Sequence, residues 1–589
     1  MCGIVGQFNY VSTLFPPDLW EKIIAMMHRR GPDDTGLWTD NKHCIFGCKR
    51  LSIIDVDPVA NLPMRSVDGN YILAYNGELY NFQELRNELK LKGYRFYTKG
   101  DSEVVLNSLI EWQESAFNKF NGMFAVAFYD LKNKNILLGR DHAGIKPLYY
   151  LLGSQGILFA SQYDQILAHP WSKKLTYSKE SIELYLRLGY IPPPLALLDN
   201  TYMLEAGSWL ALDLKGNCKV HKYFNFIQSQ DINKGLLKED ILERISVSII
   251  QSVKSQMVSD VAVGSFLSGG IDSPLISAIM AKELRGKLPT FSIGLDNKNL
   301  DESEEIITYA KYIGAESHME TLTDNLAESL FTEVLDSIKE PMADEGIFPS
   351  LLVSKLARKH VKVVLSGEGG DELFWGYYPR QAPIIRNEAN EYNTSGRKYF
   401  SFFSSFTERQ FKRCFPEIEW LPSKNQIFNF DSTDPNENAR FMRQYEFEMY
   451  LPFILLKTDR SSMHHSLEVR VPLLDRRVID LASQIDFNMC IDIGKGIGKM
   501  PLRNVLNKFV PRQTKAKKGF TISMDEWIRK PLRGIMEESL QTLRGLEYFN
   551  INHKAILELF TNHIKRVENN GMALWQLLIL DQWLKRYIA

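Results

Sequence analysis

A chain of 589 residues with 44% hydrophobic and 24% charged residues has the composition of a soluble globular protein. That length holds about three to four domains' worth of material. The formal net charge of −1 supplies no basic field for nucleic acid or an anionic membrane, and no run of about 18–20 apolar residues offers a membrane-spanning helix. Six cysteines (Cys2, Cys44, Cys48, Cys218, Cys414, Cys490) are too sparse for a disulfide framework. The opening MCGIVGQFNY lacks the basic segment and apolar core of a secretory signal, so a cytoplasmic location is expected.

In chain order, the first informative residue is Cys2. If Met1 is removed, Cys2 carries a thiol and a free α-amine, and that amine, titrating near ~7.7–8.0, can take the thiol's proton directly or through water. Short β-like runs follow at 45–46, 71–75, 125–129, 135–138 and 156–160, with helical patterns over 19–27 and 83–91. Cys44 and Cys48 have no second Cys or His pair at finger-like spacing, and with His464-His465 they are read as packing rather than metal ligands.

Between these elements lie Arg29-Arg30-Gly31-Pro32-Asp33-Asp34, Arg50-Leu51-Ser52-Ile53-Ile54-Asp55, Asn76-Gly77-Glu78-Leu79-Tyr80-Asn81, Gly100-Asp101-Ser102-Glu103 and Arg140-Asp141 with Gly144-Ile145-Lys146-Pro147-Leu148-Tyr149-Tyr150. With Cys2, this ordered set resembles the glutaminase domain of class II glutamine amidotransferases, whose N-terminal cysteine attacks glutamine's side-chain amide. The chemistry asks for these residue types. Attack makes an oxyanion, and the Asn76 side chain and Gly77 N–H are suited to receive it. Arg50 can clamp the substrate carboxylate, and Glu78 and Asp101 can accept from its ammonium. The resemblance implies the same roles, adds Leu51, Ser52, Ile53 and Ile54 to the glutamine-binding set, and implies an α+β N-terminal nucleophile hydrolase sandwich over residues 2–220.

A polar stretch at 228–235 reads as linker, bounded here as 221–237. From 238 to 589 strands alternate with longer helical patterns, which argues for an α/β parallel sheet. Residues 261–267 read as a buried strand, followed by Ser268-Gly269-Gly270-Ile271-Asp272-Ser273 and a helix opened by Pro274. Strand, glycine-rich turn and helix N-terminus together make an anion site. A second β-branched strand, 361–365, runs into Ser366-Gly367-Glu368-Gly369-Gly370-Asp371-Glu372. Carboxylates beside a phosphate site need a cation, so Asp272 and Asp371 are candidate Mg²⁺ ligands, and Glu368 is a candidate base.

The first turn resembles the pyrophosphate loop of ATP pyrophosphatases, and the second resembles the matching run of asparagine synthetases. That resemblance implies an ATP site of Leu267, Ser268, Gly269, Gly270, Asp272, Ser273, Ile293, Ser366, Gly367 and Lys517, with Glu368 tied to acyl-adenylate chemistry. It also covers Asp459-Arg460, Leu467 to Asp475 and Lys517-Lys518-Gly519-Phe520. Asp301-Glu302-Ser303-Glu304 reads as a capping box. Four positions depart from the usual pattern: Leu62, Gln162, Pro274 and the serine-free Ala343-Asp344-Glu345-Gly346. The last bears on the acceptor. The expectation is a glutamine-hydrolysing amide synthetase using ATP and Mg²⁺, with a helical C-terminal part and an enclosed ammonia passage. Aspartate is the expected acceptor and a sugar uronate or natural-product acid the alternative. Small-molecule substrates are expected, with no nucleic acid or membrane partner; the sequence also allows a homodimer.

Overall fold

The computed structural model describes residues 2–11, 14–226, 238–386, 388, 394–421, 428, 430–510 and 522–588. The linker core at 228–235 and Lys517 to Phe520 lie outside the described residues. None of the described helices is long and apolar enough to cross a membrane.

Two six-stranded antiparallel sheets build the first part. One runs Thr201–Met203, Tyr149–Gly153, Gly156–Ala160, Cys2–Asn9, Cys44–Arg50, Asp34–Thr39. The other runs Cys218–Lys222, Ser208–Asp213, Asn135–Arg140, Gly122–Asp130, Tyr71–Leu79, Met64–Arg65. Their facing residues, including Ile4, Phe8, Phe46, Ile72, Ala74, Val126 and Phe159, form one apolar core. This is the sandwich expected from the alternating runs. Its last strand extends two residues past the boundary read at 220. Helices Pro17–Ala25 and Phe82–Leu91 fall close to their expected spans.

The strand Cys2–Asn9 is buried along its whole length because both of its faces are covered. Ile4 and Phe8 point into the sandwich, whereas Val5 belongs to a larger core that continues through Leu275, Val364 and Trp575 of the second part. The strand that begins at Cys2 is thus a layer shared by both halves.

The second part holds a five-stranded, all-parallel sheet ordered Glu316–Leu322, Pro289–Leu295, Val263–Phe266, Val363–Leu365, Glu468–Arg470. From Val263–Phe266 the chain passes through helix Asp272–Glu283 to one side of the sheet, and it later returns to place Val363–Leu365 on the other side. The strand order therefore reverses between these two strands, and ligands in open α/β sheets bind beyond the carboxyl ends at such a point. Both glycine-rich turns leave from there. Beyond the sheet the chain is mainly helical, and residues 394–421 pack Tyr399, Phe400, Phe406, Phe411 and Trp420 as buried structural aromatics.

Buried ion pairs join the halves. Arg30 grips Asp459 of helix Leu451–His464 with two bonds of 2.7 and 2.9 Å, both side chains almost fully buried. Next along that helix, Arg460 makes two 2.8 Å bonds to Glu340, which also accepts from Tyr149 at 2.9 Å. Paired bonds of this kind fix orientation as well as distance, so the halves are held in register.

Candidate active sites

Cys2 lies opposite Arg50 in the antiparallel ladder, at the start of its strand. Its nitrogen, which stands where the free amine of a processed chain would be, donates to Asn76 Oδ1 at 3.0 Å. The Cys2 carbonyl accepts from Arg30 Nε at 3.2 Å. Burial pushes the thiol above its ordinary pKa, opposed by nearby positive charge and by the Leu51 N–H, which donates to the sulfur. A thiol so placed stays protonated at neutral pH and needs a base beside it, which is the task read for the amine.

Asn76 is fully buried, and its Nδ2 has no hydrogen-bond partner. An unpaired buried amide donor is costly. Here it is what an oxyanion site requires, because Oδ1 is fixed by the Cys2 nitrogen and the amide plane is set. Gly77 follows on the same strand, opposite Phe124. Asn76→Ala should lower glutaminase turnover by about 10²–10³-fold, the usual cost of losing one oxyanion donor. Glutamate release at saturating glutamine measures this, and a loss confined to KM would remove Asn76 from the role.

Glu78 and Asp101 lie close enough for their charges to act on one another. Asp101 accepts from Tyr75 Oη at 2.9 Å and Leu79 N–H at 2.8 Å. Glu78 is buried with Oε2 unpartnered. Burial pushes both carboxyls up, Glu78 strongly so, helped by Glu468 and Asp101. Arg50 is buried and spends its guanidinium on Asn61 Oδ1 at 2.7 Å and on the Asp55 carbonyl. It thus holds the loop that carries Leu51 to Ile54, and a substrate carboxylate would have to share it. Ser52 N–H is fixed by Asp33 at 2.9 Å, and Asp260 N–H of the second half donates to the Ile53 carbonyl at 3.1 Å.

At the second site the two glycine-rich turns interlock. A Cβ on Gly370 would lie 2.6 Å from the Asp272 carboxyl carbon, and one on Gly367 would lie 2.7 Å from Asp272 Cβ. Only glycine permits that approach. Ser268 N–H and Oγ both reach Ser273 Oγ at 2.9 Å, Gly270 N–H points to Ser268 Oγ at 3.3 Å, and Gly269 N–H donates to Glu302 at 2.9 Å. An incoming phosphate would displace these internal acceptors at the helix N-terminus. Glu302 is therefore a loop partner: the expected capping box does not form, and Asp301 instead accepts from Ser303 Oγ at 2.7 Å. Leu267 is pinned by Ser292, which donates to its carbonyl at 2.7 Å, and Ile293 is buried on that neighbouring strand.

Asp272 and Asp371 share one cation, the buried Lys499 ammonium, at 2.7 Å from Asp371 and closer still to Asp272. Burial opposes the charge on Lys499, but the two carboxylates hold its pKa above the ordinary lysine value. Two carboxylates converging on one cation, beside a phosphate loop, are a donor set that Mg²⁺ accepts. Glu368 is held by both oxygens, from Ser366 Oγ on one side and from Thr458 Oγ1 at 3.1 Å on the other. Sequence reasoning missed Thr458 and Lys499. A lysine directly after Gly496-Ile497-Gly498 was the available signal for the second; a threonine in mid-helix gives none.

His464 and His465 do meet Glu333, with ligand atoms within 4.8 Å of one another. Arg29 packs onto His464, however, and burial followed by that cation pushes its pKa to about 2. A resident guanidinium repels a metal ion, which agrees with the packing reading. Cys44 and Cys48 are buried in one strand as free thiols.

The sequence matches the family profile described as Asparagine synthase over residues 245–585 and the profile described as Glutamine amidotransferase domain over residues 1–224. Asparagine synthetase (glutamine-hydrolyzing) 1 of Bacillus subtilis is 31% identical, across 99% of this chain and 96% of its own length. Asparagine synthetase (glutamine-hydrolyzing) 3 of the same organism is 28% identical across 92% of both chains. Amidase chry2 of Gibberella zeae is 23% identical across 98% of this chain and 94% of its own.

Proposed function

This chain belongs to the asparagine synthase family, and on that premise we propose that it converts aspartate to asparagine, with glutamine as nitrogen donor and ATP cleaved to AMP and pyrophosphate. It is a glutamine-dependent carbon–nitrogen ligase. Its first reaction is thioester formation: the Cys2 sulfur attacks the glutamine amide carbon, Asn76 Nδ2 and the Gly77 N–H receive the oxyanion, and ammonia leaves. Water then releases glutamate from Cys2.

In the second reaction a carboxylate oxygen of the acceptor attacks the α-phosphorus of ATP and pyrophosphate departs. Ammonia then displaces AMP from the acyl-adenylate and loses a proton. Asp272 and Asp371 would hold Mg²⁺, which supplies charge neutralisation on the phosphates when bound. In this reading Glu368, held by Ser366 and Thr458, is the base that takes the ammonia proton. Ammonia is mostly protonated in neutral water, so an enclosed route between the sites keeps it nucleophilic.

The observation that favours an amino-acid acceptor is a half-buried pair beside Glu368. Lys457, next to Thr458, meets Asp344 at 3.1 Å, and Asp344 also accepts from Gly346 N–H at 2.7 Å. This pair offers one positive and one negative partner, which matches an α-carboxylate and an α-ammonium together; a uronate has no ammonium to place. AMP release with ammonium supplied, over a panel of aspartate and several uronic acids, tests the reading. Aspartate should be the productive acceptor, and AMP formed with a uronate but not with aspartate would overturn it.

A further inference from the structure

Arg470 ends the Glu468–Arg470 strand of the parallel sheet, yet its side chain reaches the glutaminase site. Three contacts fix the guanidinium: Nε donates to Glu468 Oε1 at 2.6 Å, and one terminal nitrogen donates to the carbonyls of Gln256 and Val258, both at 2.7 Å. The other terminal nitrogen is buried, makes no hydrogen bond, and stands 3.9 Å from Glu78 Oε1. Glu78 answers with its own unpartnered buried oxygen, Oε2. The Arg470 carbonyl meanwhile accepts from Ser366 N–H at 2.9 Å, so the residue is anchored to the loop that carries Glu368. A guanidinium held at three points on an anchored backbone does not swing away from the carboxylate it faces.

We infer that Arg470 is a positioning residue of the glutamine site, contributed by the synthetase half: it faces Glu78 across the domain boundary and favours the carboxylate form that receives glutamine's α-ammonium. This rests on the reading of Glu78 as the group that accepts that ammonium. A buried carboxyl binds a cation well only when ionised, and desolvation works against ionisation. The groups facing Glu78 divide by sign. Burial first, then the Glu468 and Asp101 carboxylates, favour its protonated form, while Arg470 and the amine at the chain start favour the charged one. The Cys2 thiol and the Tyr75 and Tyr80 phenols also face it, and none of these is ionised at neutral pH, because burial raises all three. Among these described side chains, Arg470 is therefore the one that opposes protonation of Glu78.

The sign of the test follows. Arg470→Gln removes a cation, so the Glu78 pKa rises, and the increase in glutamine KM that accompanies falling pH should begin at higher pH. Each pKa unit moved raises KM about tenfold in the affected window. Glu468→Gln removes a carboxylate and should move the increase the opposite way, toward lower pH. The experiment is glutaminase KM and kcat for wild type, Glu78→Gln, Arg470→Gln and Glu468→Gln from about pH 6 to about pH 9. A structural lesion lowers kcat and does not produce opposite displacements from two neighbouring substitutions. If Arg470→Gln does not fold, the direction found for Glu468→Gln decides. Superimposable KM profiles, or displacement of both variants in one direction, would overturn the inference. If Glu78→Gln leaves KM unchanged, the reading of Glu78 falls and takes the inference with it. If Glu78→Gln raises KM but Arg470→Gln does not displace the profile, Arg470 alone is wrong.

Discussion

Cys2→Ala abolishes glutamine hydrolysis and glutamine-dependent amidation while ammonium-dependent synthesis survives. Loss of a catalytic nucleophile costs on the order of 10⁴–10⁶-fold in turnover. Alanine supplies no atom to form the thioester, yet it occupies the buried position opposite Arg50 without disturbing the ladder. The interdomain anchors are untouched, because Arg30 holds the Cys2 main-chain carbonyl rather than its sulfur. Retention of Met1 should be as damaging, since the base read for the thiol is then an amide. Glutamate release and ammonium-dependent AMP formation are measured side by side. Undiminished glutaminase in the alanine variant would sink the assignment, and loss of both activities would mean that the substitution had broken the shared core instead.

Glu368→Gln has the converse effect, blocking synthesis with either nitrogen donor and sparing glutamine hydrolysis. A positioned general base contributes about 10²–10⁴-fold, and that is the loss expected in AMP formation. Two hydroxyl donors, Ser366 and Thr458, fix the two carboxylate oxygens. Glutamine keeps one acceptor oxygen but turns an amide donor toward the other hydroxyl, so the side chain loses both its basicity and half its support. Asp272→Asn and Asp371→Asn should weaken use of Mg²⁺-ATP in the same donor-independent way. They also remove charge from the site now shared with Lys499. If the nucleotide products prove to be ADP and phosphate, cleavage between the α and β phosphates is wrong and these roles must be reassigned.

Local patterns were legible because local physics sets them. Alternation marked the sandwich strands, and strand–glycine–helix marked the turn at 268–273, since a backbone suited to approach a phosphate closely admits little else. The reading failed at Asp301. Its spacing to Glu304 matches a capping box, but the helix is capped one residue later, at Glu302, whose side chain makes no cap bond and instead accepts from the nearby Gly269 N–H. The boundary at 220 was short for a similar reason, because Cys218–Lys222 is an edge strand with little apolar signal of its own.

By itself, the sequence determined which candidate chemistries to look for: a cysteine suited to amide attack, a glycine-rich turn at a helix N-terminus, and a second glycine-rich turn loaded with carboxylates. What only tertiary structure decided is which distant residues share one charge. Lys499 between Asp272 and Asp371, Arg30 on Asp459, Thr458 on Glu368 and Arg470 facing Glu78 join segments separated by up to hundreds of positions. No periodicity encodes such pairings. Burying a charge is unfavourable unless a partner meets it, and which partner arrives is settled when the sandwich and the parallel sheet close on their common core.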